Sequence, residues 1–173
     1  MENKIMTHKT KGLLVALVLI IIGIAGHFGG LSEKSWFSWG SNIVLVIGII
    51  WGCLYYAKQM DGRVSFGDIF VHGFKMSVVI TLIIIAYSVL ALSLIFPEMR
   101  EKGMEIARQK MEEQGKMSGD QIDQALEIVK KFFWPITIGT ILLFTLLFGC
   151  VASLIGAAVA KKKPVSPLDQ FPA

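Results

Sequence analysis

The chain has 173 residues, of which 54% are hydrophobic and only 17% charged, with a formal net charge of +4, and its mean hydropathy is +0.62. A soluble domain carries roughly 25% charged residues, so this composition excludes an ordinary soluble domain, a disordered chain and a coiled coil. Two cysteines cannot build a disulfide framework.

Four apolar runs follow in chain order, over residues 12–30, 40–57, 66–96 and 132–160. About 20 residues rising 1.5 Å each cross a bilayer core of about 30 Å. In lipid a segment must satisfy its own backbone, so runs rich in Ile and Val become helices there. The expected fold is all-α: a polytopic membrane protein with four transmembrane helices, in one membrane domain. Trp36, Trp39 and Trp134 sit at run ends, where an aromatic belt belongs. A cleaved signal peptide is the alternative for the first run, but its apolar length exceeds the usual core of about 7–15 residues.

Between the third and fourth runs, residues 97–131 hold seven bases, eight acids and four of the eight methionines. Pro97 suits a first helical turn, and Ser118 with Gln121 reads as a capping box opening a second helix. The expectation is an amphipathic helical hairpin outside the membrane, its second arm fused to the fourth run and kinked at Pro135. Met104 and Met111 are its docking candidates, since methionine adapts to partner surfaces. The alternative is two amphipathic helices packed on each other and on the headgroups. A tail over 161–173, expected to be disordered, opens with three lysines.

The loop after the second run is the other informative segment. Asp61-Gly62 is a turn signal, and Ser65 with Asp68 marks a helix start. Arg63, Asp68, His72 and Lys75 are candidates for an interfacial lipid anchor, or for a small polar relay one helical turn apart. Gly48 with Gly52, Gly149 with Ser153, and Gly156 offer small-residue faces for close helix packing. That packing is expected within one subunit, with contacts between subunits as the alternative.

No nucleotide-loop, zinc-protease, nucleophile-elbow or Cys-x-x-Cys motif occurs. No enzyme activity, cofactor or metal is expected, and nothing points to nucleic acid. Residues 62–75 (GRVSFGDIFVHGFK), Met117 to Ile122, Phe132 to Pro135 and the small-residue last run ending in lysines resemble the bacterial family called domain of unknown function 4199. The resemblance implies four membrane helices with a charged insert before the last, and a bacterial inner-membrane location. It implies no activity. Three function classes follow: an accessory or scaffold subunit that docks a protein partner on its hairpin, a small oligomeric channel or carrier, and a membrane enzyme, for which only Asp68, His72 and Lys75 come near converging. The partners expected are the lipid bilayer, a protein on 97–131 and, in the second class, further copies in a homo-oligomer.

With both termini inside, the inner segments hold nine bases against four acids, and the outer ones eight against nine. Lys9 and Lys11 count among the inner bases that flank the first run. Clustered bases beside helix ends set orientation, so both termini are expected to be cytoplasmic. The check is labelling by an impermeant maleimide after Cys53→Ala and Cys150→Ala. With the outer barrier removed, Ser118→Cys should react and Ser166→Cys should not; the opposite pattern reverses the orientation.

Overall fold

A computed structural model describes residues 6–31 and 34–161. Its elements are α1 (His8–Phe28), α2 (Ser35–Gln59), α3 (Phe66–Leu90), a π-helical turn (Ala91–Ile95), α4 (Glu98–Gln114), α5 (Gly119–Lys131) and α6 (Phe133–Val159). No strand occurs among the described residues. Four stretches are long and apolar enough to cross a membrane: His8–Phe28, Trp39–Gln59, Phe66–Ile95 and Phe133–Val159. At most 28% of each apolar window is buried in the structure, so most of this surface faces outward, as in a multi-pass membrane protein. The tail expected to be disordered lies, from residue 162, outside the described residues.

The chain divides into two compact units. The first comprises, of the described residues, those up to Ile84 and those from Phe144 onward; the second is Ile85–Leu143.

The first unit holds the core. Ala16, Ile49, Cys53, Ile69, Met76, Ile80, Ala152 and Ala157 are fully buried in it. Small residues set the helix spacing. A methyl group added at Gly48 of α2 would meet Val15 of α1, and one at Gly52 would strike Met76 of α3. Gly73 of α3 lies against Cys53 and Ser153, Gly149 of α6 against Ser77, and Gly156 against Cys53 and Ile50. Gly12 of α1 lies against Val79 and the Met76 carbonyl of α3, so α2 and α3 each approach both α1 and α6 closely. Lipid tails are as apolar as leucine, so close packing, rather than hydrophobic exclusion, holds such helices together. Hydroxyls in these seams fold back on their own helices: Thr81 donates to the Ser77 carbonyl at 2.8 Å and Ser153 to that of Gly149 at 2.6 Å.

The α2–α3 connection is a tight turn in which Asp61 and Gly62 adopt φ of 52° and 76°. The Gly62 amide reaches back to the Ala57 carbonyl at 2.8 Å. Ser65 and Asp68 then cap α3 reciprocally, the Asp68 amide donating to Ser65 Oγ at 3.1 Å and the Ser65 amide to the Asp68 carboxylate at 3.0 Å. Two satisfied backbone donors define this helix start.

In the second unit, Phe96 leaves the helical region, at φ −134° and ψ 60°, because the following Pro97 crowds an α conformation there. Pro97 caps α4, Glu98 and Glu101 occupy its first turn, and Gly115 ends it at φ 61°. Ser118 and Gln121 form the capping box of α5. Arg108 ties the two helices, donating to Glu112 at 3.1 Å and to Asp123 at 2.5 Å. The Arg100 guanidinium lies 4.8 Å from the ring centre of Phe133.

The expected fusion of α5 with the last helix does not occur. α5 stops at Lys131 and α6 begins at Phe133. A continuous helix would press the Pro135 ring against the Lys131 carbonyl. Beginning α6 at Phe133 puts Pro135 in the first turn instead, where amides have no intrahelical partner. The effect of the proline is a one-residue interruption at Phe132, at the junction expected to kink.

Gly156→Leu should destabilise the first unit by about 1–3 kcal/mol, the usual cost of overpacking, because its side chain has only Cys53 and the α2 backbone to enter. Gly23→Leu is the control, since an added methyl group there meets nothing within 4 Å. Melting in detergent should separate the two; equal midpoints would place Gly156 outside the packed face.

Candidate functional site

The most unusual group in the first unit is Lys11. Its helix begins at His8, so Lys11 stands in the first turn of α1 and not ahead of it. It is fully buried, with 0% exposure. Sequence reasoning counted it only as a base flanking the first apolar run; the structure places it inside α1 and buried. The residues at +4 and +8, Val15 and Leu19, are respectively in the core and packed on it. Helical spacing therefore carries Lys11 onto the buried stripe.

The three ammonium N–H groups meet three acceptors: the Gln59 side-chain oxygen at 3.0 Å, His72 Nε2 at 3.3 Å and the Gly52 carbonyl at 3.5 Å. Gly52, Tyr56 and Gln59 recur along one face of α2. The missing side chain at Gly52 makes room for Met76, and an added methyl group there would only touch the lysine stem, at 3.9 Å from its Cδ. The ammonium also lies 4.9 Å and 5.6 Å from the ring centres of Tyr55 and Tyr56, within reach of their π faces. Tyr56 in turn stacks on His72, with centroids 4.0 Å apart and planes inclined by 10°. All the acceptors are neutral. Among the described residues, no carboxylate pairs with Lys11.

An ammonium is a donor only. With Lys11 donating to Nε2, the neutral His72 ring carries its proton on Nδ1. His72 is 9% exposed and lines a cleft of about 440 Å³ together with Thr7, His8, Tyr56, Asp68 and Lys75. The polar sequence cluster Asp68, His72 and Lys75 thus does converge on one space. It does not form a relay of direct hydrogen bonds. The Asp68 carboxylate is held by the Ser65 amide and hydroxyl at 3.0 Å and 2.7 Å, and His72 turns inward to Lys11. Arg63 is exposed in the α2–α3 turn, its amide bonded to the Met60 carbonyl at 2.9 Å.

The remaining sequence candidates fall elsewhere. Gly48, Gly52, Gly149, Ser153 and Gly156 lie in the helix seams of the first unit. Met104 and Met111 are half-buried on α4 of the second unit. No group of three or more His, Cys, Asp or Glu side chains among the described residues is placed to hold a metal ion. Lys11, Tyr56 and Gln59 were missed by sequence reasoning. Two spacings signal them: the Gly52-Tyr56-Gln59 face, and the extension of the Val15 stripe back to Lys11.

Removing the imidazole leaves a buried ammonium short of an acceptor, and losing a hydrogen bond to a charged group costs about 1.5–3 kcal/mol. His72→Phe keeps the stack on Tyr56 and should therefore destabilise strongly. Adding Lys11→Met should recover at least about 1 kcal/mol, the coupling typical of contacting residues. Chemical unfolding in detergent measures the cycle; strictly additive effects would show that the two side chains do not interact.

No curated protein and no solved structure matches the chain. A family sequence model does match, over residues 10–162. That match takes in all four apolar helices, the α4–α5 segment and the Lys11 cluster, and the chain belongs to the family described as protein of unknown function DUF4199.

Proposed function

We propose that this is a multi-pass protein of the bacterial inner membrane, with both termini cytoplasmic, acting as a non-enzymatic accessory or scaffold subunit. In this reading α4 and α5 form a hairpin outside the bilayer and dock a partner protein. The observation that carries it is the contrast between two kinds of surface. The four apolar helices turn large side chains outward, with Ile21, Ile47, Leu82 and Leu143 all more than 60% exposed. Residues 97–131, by contrast, gather half of the chain's charged side chains.

Mixed-sign surfaces select partners and orientation more than they add affinity. The half-burial of Met104 and Met111 shifts the weight of docking to the charged residues around them. Tying α4 to α5 through Arg108 and Asp123 holds that charge pattern in a fixed register. The Lys11 cluster belongs to a separate stretch of chain and anchors the membrane part.

Replacing residues 98–131 with a flexible Gly/Ser linker removes both helices at once, so neither is left with an uncovered face. The variant should still insert, because the four apolar helices remain. A partner that co-purifies with the intact protein in mild detergent should be lost. Retention of the partner would move the contact into the bilayer, and failure to insert would make α4 and α5 structural.

A further inference from the structure

The geometry points to a phosphate-binding site in the cleft over His72, completed from below by the buried ammonium of Lys11. This goes beyond the docking role, and involves neither α4 nor α5. Three observations carry it.

First, Lys11 has hydrogen-bond partners but, among the described residues, no counter-charge. A buried charge is ordinarily paired, and the open space next to its neutral shell is the cleft that His72 lines. Second, His72 is nine-tenths buried and half-engaged. Its Nε2 receives the lysine proton, while Nδ1 has no protein partner among the described residues. No polar side-chain atom among the described residues is buried without a partner, so Nδ1, on a ring that lines the cleft, is not sealed from solvent. It presents an N–H donor polarised from behind by the lysine. Third, the cleft is rich in donors. Lys75 and His8 line it, with the Thr7 hydroxyl that also accepts from the Thr10 amide, and its one carboxylate among the described residues, Asp68, is already engaged by Ser65. Its volume of about 440 Å³ lies within the range of about 300–1,000 Å³ usual for small-molecule sites.

A tetrahedral, multiply accepting anion answers this donor set. A carboxylate offers fewer acceptor directions, and a cation is repelled by Lys11 and Lys75. Two sources supply a phosphoryl group at this place. A phospholipid headgroup can enter with its acyl chains beside Val71, which lines the cleft and is 45% exposed. Inorganic phosphate can enter from the aqueous side. Asp68 at the rim then accepts from a headgroup hydroxyl in the first case and from water in the second.

The test uses the full chain, purified in mild detergent and stripped of lipid. Phosphatidylglycerol is titrated by native mass spectrometry, and inorganic phosphate by calorimetry. One ligand should saturate at one per chain, and competition between the two identifies the physiological source. Lys75→Gln changes an exposed side chain and should weaken binding at least tenfold, as should His72→Phe wherever it folds. Lys58→Gln, an exposed lysine on α2 outside the cleft, should leave binding unchanged. Saturation by neither ligand, or equal weakening by Lys75→Gln and Lys58→Gln, overturns the site.

Discussion

A single buried ammonium organises the first unit. Lys11 of α1 donates to two positions on α2 and one on α3, joining three helices at the end where the α2–α3 turn lies. Non-directional packing alone would let such helices slide past one another. A donor-only group with three acceptors fixes both register and rotation, because each helix must present a particular atom. The Tyr56–His72 stack orients the imidazole, and the Ser65–Asp68 cap fixes where α3 starts. His72 lies one turn beyond Asp68, so it reaches the lysine only if that start is held.

The cluster depends in turn on small residues. Gly52 gives Met76 room beside the lysine stem, and Gly73 and Gly156 bring α3 and α6 against Cys53. Enlarging any of these side chains spreads the helices, which lengthens hydrogen bonds that are only 3.0–3.5 Å long. Close packing and the polar cluster therefore support each other. Such coupling is effective in lipid, where exclusion from water does not drive helices together.

Much of this architecture was legible in the residues. The four spans follow from apolar length, and the starts of α3 and α5 follow from Ser65 with Asp68 and Ser118 with Gln121. These are local signals, decided within one turn of chain. The separation of α5 from α6 was harder to read. The amphipathic stripe runs unbroken from Ile122 to Phe133, and the effect of Pro135 falls upstream of the proline itself. Lys11 was the hardest. Sequence-based reasoning placed it by its charge at the edge of an apolar run, whereas its burial comes from acceptors 41, 48 and 61 residues away. Only tertiary packing assembles those partners.

Lys11 is sealed among neutral acceptors and is no ordinary flanking lysine. Amine acylation in mild detergent, read residue by residue by mass spectrometry, tests it directly, with the exposed Lys9, two residues away, as the internal standard. The structure requires Lys9 to be modified readily while Lys11 stays unmodified until the protein is unfolded. Modification of Lys11 at the rate of Lys9 in the folded protein would contradict it.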